Sequence, residues 1–143
     1  MKQFLGVALT IATGFSSAFA NLGDSYDKID NSYGNQVERH LLDDGSVSLL
    51  YHKGRYLYFV IFANGRSILE RYSNINGKDL SEREIARFLK VNAAGGTWIP
   101  GSTSKERRFE RSDHKAEATY GKANGTPALT VRELGVKDAE RDQ

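Results

Sequence analysis

The chain has 143 residues, with 20 Lys and Arg against 18 Asp and Glu, three histidines and no cysteine. That length suits one hydrophobic core and is short for two domains, and the near balance of charge, with both signs interleaved, excludes the basic footprint of a nucleic-acid binder. The lack of cysteine excludes disulfides, a thiolate nucleophile and the lipid-bearing cysteine of bacterial lipoproteins, so the fold must rest on packing and hydrogen bonds.

Met1-Lys2-Gln3 carries a positive charge, Phe4 to Phe15 is apolar, and Ser16-Ser17-Ala18-Phe19-Ala20 is small-residue-rich. This is the order of a secretory leader, and Ala18 and Ala20 mark its cleavage site. The apolar run is interrupted by Thr10, Thr13 and Gly14 and falls short of the roughly 18 residues that a membrane-spanning helix needs. Residues 1–20 are therefore expected to be removed, leaving a domain over 21–134 and a charged flexible tail over 135–143. The mature protein is expected to be soluble, with no transmembrane segment and no lipid anchor, in a periplasm or outside the cell.

Leu22, Tyr26, Ile29 and Tyr33 form one stripe of a short helix, with Asp24 placed to cap it and Gly34 to end it. The period then changes to two. Val37 leads to His40-Leu41-Leu42, Asp43-Asp44-Gly45-Ser46 turns the chain, and Val47, Leu49 and Tyr51 alternate with polar residues. Asp43-Asp44 is read as this turn, because a calcium loop needs ligands spread over about twelve residues.

Lys53-Gly54 leads into Tyr56-Leu57-Tyr58-Phe59-Val60-Ile61-Phe62, the strongest β segment and a candidate central strand. Asn64-Gly65 is a two-residue hairpin signal, and Ser67 to Tyr72 returns as a fourth strand, which the polar Asn74–Lys78 loop closes. Ser81-Glu82-Arg83-Glu84 is a capping box that opens a helix with Ile85, Phe88 and Leu89 on one side and Gly95-Gly96 at its end.

Thr97 to Lys105 is expected to be a loop bearing Trp98. Weaker strands follow near Arg107–Arg111, Lys115–Tyr120 and Ala128–Glu133, with turns at Ser112-Asp113 and Asn124-Gly125. The order helix, meander, helix, meander predicts an α+β fold, two short helices on one face of an antiparallel sheet, and permits a tandem repeat of one helix-plus-meander unit.

In Gly23-Asp24-Ser25-Tyr26-Asp27-Lys28-Ile29-Asp30-Asn31-Ser32-Tyr33-Gly34, the residues Gly23, Ser25, Ile29, Tyr33 and Gly34 stand at the spacing that opens the SmpA/OmlA domain. The chain thus resembles that family of small outer-membrane-assembly lipoproteins and the related β-lactamase-inhibitor-protein fold, over about twelve residues closely and the rest in outline. It departs from the pattern at Asp24, usually apolar, at Gln36, usually Pro, and in lacking the lipid-bearing cysteine. The resemblance implies a non-catalytic periplasmic domain that binds other proteins or the envelope.

There is no nucleophile elbow, phosphate loop or HExxH pair, and no catalytic residue, metal or cofactor is implied. Alternation puts Leu57, Phe59 and Ile61 on one face of the central strand and Tyr56, Tyr58, Val60 and Phe62 on the other. Two helices most simply cover one face. The alternative is that the second meander folds over the sheet and buries both.

Aromatic residues beside arginine dominate protein interfaces, which makes Tyr56, Tyr58 and Trp98 the candidate contacts for another envelope or secreted protein. Lys105, Arg107, Arg108 and Arg111, interleaved with Glu106, Glu110 and Asp113, read as a solvated edge strand. Asn124-Gly125-Thr126 fits a glycosylation sequon and, better, a hairpin turn. The functional expectation is a non-catalytic binding or envelope-associated module. The alternative is a small exported hydrolase or metal-dependent enzyme, which requires at least two of His40, His52 and His114 to converge with carboxylates in one cleft.

Overall fold

In the computed structural model of the chain, residues 21–101 and 106–135 are described. The expected leader of residues 1–20 and all but Gly135 of the expected tail lie outside these. Helix α1 spans Tyr26–Tyr33 and is followed by four strands, β1 (Gln36–Leu41), β2 (Val47–Lys53), β3 (Tyr56–Ala63) and β4 (Arg66–Asn74). Helix α2 (Glu82–Val91) precedes four more, β5 (Trp98–Pro100), β6 (Arg107–Arg111), β7 (Ala116–Ala123) and β8 (Thr126–Glu133).

All eight strands form one antiparallel sheet in the order β1-β2-β3-β4-β8-β7-β6-β5. The second meander therefore lengthens the first sheet through the β4–β8 pairing and does not fold over it. This corrects two expectations. The loop after β4 does not close the sheet, because β4 is interior, and Trp98-Ile99-Pro100 is not loop but the short edge strand β5.

Local chemistry accounts for the turns. Asn64 and Gly65 both have positive φ, 54° and 79°, as do Asn124 and Gly125, 53° and 82°, the backbone that a two-residue hairpin requires for strands of right-handed twist. Both helices start at a serine. The Ser81 capping box forms as expected, with Ser81 Oγ accepting from the Glu84 amide and Glu84 Oε1 accepting from the Ser81 amide. In α1 the cap is Ser25, whose Oγ accepts from the Lys28 amide, and not Asp24, whose carboxylate instead accepts from the Asn21 amide at 2.7 Å.

The core lies on one face of the sheet. Register places Tyr51, Tyr58, Tyr72, Leu129 and Tyr120 in one row across it, and Leu49, Val60, Glu70, Val131, Ala118 and Phe109 in the next. Ile29 and Tyr33 of α1 and Ile85, Phe88 and Leu89 of α2 are buried against these rows. Tyr33 stacks on Tyr58 with centroids 4.0 Å apart, and Phe88 on Tyr72 at 4.3 Å. Burial of each such ring contributes about 1.5–3 kcal/mol, and the ring pairing a little more.

The two sheet edges are protected differently. Strand β5 has three residues and ends in Pro100, which offers no amide to a further strand. Strand β1 is exposed throughout, with Val37 at 53% and Leu41 at 77%, but a bulge at Val37 and the charges of Glu38 and Arg39 blunt it.

Candidate functional site

The two sheet faces have different chemistry. On the covered face a polar knot sits among the tyrosines. A bulge in β4 between its pairings with Phe62 and Ile61 lets Ser67 and Glu70, three residues apart, face the same side, which a regular strand forbids. Glu70, 1% exposed, accepts from Tyr33 Oη (2.9 Å), Tyr72 Oη (3.2 Å) and Ser67 Oγ (3.1 Å). Asn92, at the end of α2, donates to Tyr72 Oη and accepts from the Leu22 amide, so the knot ties both helices and the N-terminal segment to the sheet.

Burial pushes the Glu70 carboxyl up to about 7, against the opposing pull of its three donors. Desolvation first, and then the neighbouring Tyr72 and Glu70, push the Tyr33 hydroxyl well above its ordinary range. Desolvation and Glu70 do the same for Tyr72. The tyrosines are thus held as neutral donors, and nothing in the knot reaches an open cleft.

The residues expected to make a partner surface belong to this covered side. Tyr58 is 4% exposed beneath Tyr33 and Phe88. Tyr56 is half-buried against α2, donating to Glu84 and accepting from Arg87 Nη2 at 2.8 Å. Trp98 is half-buried as well, and its indole donates to the Leu89 carbonyl at 2.6 Å, fastening β5 to α2. Of the three candidate contacts only Tyr58 is buried, and Tyr56 and Trp98 keep partial exposure beside α2: the strand alternates as expected, and the helices lie on the tyrosine side.

The uncovered face carries the other half of each strand. Its rows run Leu50, Phe59, Arg71, Thr130, Thr119, Arg108 and Ser48, Ile61, Leu69, Arg132, Glu117, Glu110. Over β2 and β3 it is apolar, with Leu50, Leu57, Phe59 and Ile61 half-buried. Over β6 to β8 it is an ionic lattice in which Glu117 meets Arg132 at 2.5 Å and Arg108 at 3.5 Å. Arg71 joins the two, its guanidinium 5.2 Å from the centre of the Phe59 ring while Nε donates to Thr130 Oγ1. Desolvation lowers the Arg71 pKa without threatening its charge.

The histidines do not come together. His40 lies on β1 beside Glu38 (3.4 Å), His52 near the end of β2 against the Gly54 carbonyl, and His114 in the β6–β7 turn beside Glu110 (3.0 Å). Among the described residues no group of three or more His, Asp and Glu is placed to hold a metal ion.

No protein-family model matches this chain, and no curated protein does. Among solved structures it is similar to a cysteine-rich secretory protein from Staphylococcus aureus subsp. aureus Mu50, with a TM-score of 0.45 and 10% identity. The likeness covers 81% of this chain and 45% of that one.

Sequence reasoning passed over Glu70 and, on the open face, Arg71, Glu117 and Arg132. For Glu70 a signal existed: it alternates in phase with Tyr72, an inward position for a carboxylate. Arg71, Arg132 and Glu117 face one another only because β4 pairs with β8, and no short-range pattern announces a pairing between strands so far apart in the chain.

Proposed function

We propose that the protein is exported and that its mature domain is a non-catalytic binding or envelope-associated module that meets a protein partner with the open face of the sheet. The observation behind this reading is the one-sided cover. Both helices pack on the tyrosine face, which leaves Leu50, Leu57, Phe59, Ile61 and Leu69 beside Arg71 with no element of the described chain above them. Partly exposed apolar and aromatic groups next to arginine, rimmed by charge, are the composition of a protein interface.

The leader-like first 20 residues support export to a periplasm or beyond. The resemblance to the SmpA/OmlA domain supports an envelope role, since α1 stands between Gly23 and Gly34, both with positive φ, and leads into an antiparallel meander. We also propose that the domain arose by duplication. Each half is a serine-capped helix followed by four strands, and Ala-Asn-Gly forms the last hairpin of each, at residues 63–65 and 123–125.

The test is crosslinking in envelope extract of the mature domain and of Phe59→Asp/Ile61→Asp, with Arg107→Ala on the covered side of the sheet as the control. A partner lost with the face variant and kept with the control is expected, both variants having first been shown to fold. Retention of the same partner by the face variant would overturn the reading.

A further inference from the structure

The first five described residues form no loose tail. Residues 21–25 run along the start of β4: Gly23 N donates to both the backbone carbonyl and Oγ of Ser67, Ser67 N donates to the Asp24 carbonyl, and Ser25 bridges Arg66. Leu22 N donates to Oδ1 of buried Asn92 at 2.8 Å. Asn21 is half-buried, its carbonyl accepts from Asp24 N at 3.1 Å and lies 3.2 Å from Ser67 Oγ, and its nitrogen is 2.7 Å from Asp24 Oδ2. That nitrogen is the one that cleavage after Ala20 would free.

We infer that the α-ammonium released at Asn21 by leader cleavage is a structural cation, seated on the Asp24 carboxylate and completing the N-terminal anchor of the Ser67–Glu70 knot. The inference rests on the proposed leader. Hydrolysis adds one water across the Ala20–Asn21 bond: the Ala20 carbonyl leaves as the leader's carboxylate, and the Asn21 nitrogen takes up protons to become an ammonium. A neutral amide donor to the Asp24 carboxylate is thereby exchanged for a charged one at the same place, which turns a charge-assisted hydrogen bond into an ion pair. The side chain of Asp24 is only 16% exposed, which limits solvent screening of the pair. Processing then does more than release the domain, because the mature form holds an ion pair that the precursor lacks.

The charged groups that face this nitrogen come from two elements. Asp24 and Lys28 belong to the start of α1, with Lys28 Nζ 3.3 Å from Asp24 Oδ1, and Arg66 and Glu70 belong to β4. From α2 the neighbour is the neutral Asn92, whose carbonyl accepts from Arg111 of β6. Asp24 is the anion in direct contact, so it dominates.

The experiment compares the chain from Asn21 to Gln143 with a free and with an acetylated N-terminus, each with Asp24 and with Asp24→Asn, by urea unfolding at pH 7. Acetylation is expected to raise the unfolding constant about five- to tenfold with Asp24 and less than twofold with Asp24→Asn. Equal constants for the free and acetylated wild-type chains would overturn the inference, as would an acetylation penalty that persists in Asp24→Asn, which would report bulk and not charge. If Asp24→Asn does not fold, the pH dependence of reductive methylation at the N-terminus decides: half-protection above the ordinary ~8 of an α-amino group is expected, and a value at or below it overturns the inference. Sequencing of the exported protein separates the two layers. A chain that keeps residues 1–20 removes the leader reading and the inference together, whereas a cleaved chain that starts elsewhere, or equal stabilities with a start at Asn21, remove the inference alone.

Discussion

The halves of the molecule share an order of elements and differ in what they are made of. The first half fills its part of the core with Leu49, Tyr51, Tyr58, Val60, Phe62 and Tyr72, whereas the second contributes Ala116, Ala118 and Ala128 beside Phe109, Leu129 and Val131. Helix α2 shows how the second half is held: its Phe88 reaches across to stack on Tyr72 and to meet Tyr56 and Tyr58 edge-on. Large side chains of the first half thus supply the packing for both helices, and the second half adds strands and charge. The same inequality appears on the open face, apolar over β2 and β3 and ionic over β6 to β8.

The largest effect expected from this comparison is at Phe88. Phe88→Ala removes a fully buried ring from the junction of α2 and the tyrosine rows and should destabilise the domain by about 3–5 kcal/mol in urea unfolding. Phe109→Ala should fall at or below the lower end of that range, since its buried ring keeps 9% exposure where Phe88 keeps none and it lies opposite the small Ala118. Equal losses at the two positions would show that packing against the large side chains of the first half gives Phe88 no advantage over Phe109, which packs within its own half.

Burial of Glu70 gives the next effect, through pH. Its folded pKa of about 7 lies above the ~4.3 of a glutamate in an unfolded chain, so the folded state binds the proton more tightly. The stabilisation is fully present below about pH 4 and is lost as pH rises through 7, on the order of a few kcal/mol in all. Glu70→Gln should flatten that slope and leave the acid limb to the other carboxylates. An unchanged slope in Glu70→Gln would show that the carboxyl titrates alike in the folded and unfolded chains, its three donors offsetting desolvation.

Much of the local structure could be read from the residues because its signals depend on near neighbours. The Ser81 capping box, the Asn-Gly turns and the alternation of Tyr56 to Phe62 each depend on neighbours within a few positions, and each forms as expected. What stayed illegible depends on distant partners. Which face of β3 the helices choose is decided by where Tyr33 and Phe88 find their stacks, and this reversed the assignment of the open side from the tyrosines to Leu57, Phe59 and Ile61. The bulge that turns Ser67 inward with Glu70 breaks the period-two pattern on which the strand assignment rests.

The shared turn tests the likeness of the halves at a smaller scale. Gly65 and Gly125 close equivalent hairpins at φ of 79° and 82°, with open space where a side chain would stand. Gly65→Ala and Gly125→Ala should each lose about 1–2 kcal/mol from backbone strain alone. Losses that differ by more than the measurement error in thermal unfolding would mean that β3–β4 and β7–β8 register are held to different degrees by their flanking pairs.

The smallest effect, and the sharpest contrast, comes from making the Glu→Gln change on the other face. Glu117 is half-buried in the ionic lattice and touches both Arg132 and Arg108, whose side chains are 43% and 50% exposed. Solvent screens such pairs, so Glu117→Gln should cost no more than about 1 kcal/mol, a loss that shrinks in 1 M salt, where the screening length falls to about 3 Å. Above pH 7 the same chemical change at Glu70 should be neutral or stabilising, because it removes a charge that burial disfavours. Opposite signs at Glu70 and Glu117, measured at pH 8 in low and high salt, would separate the two faces: on one a carboxylate is tolerated for the hydrogen bonds it gathers, and on the other it is part of a solvated ionic surface.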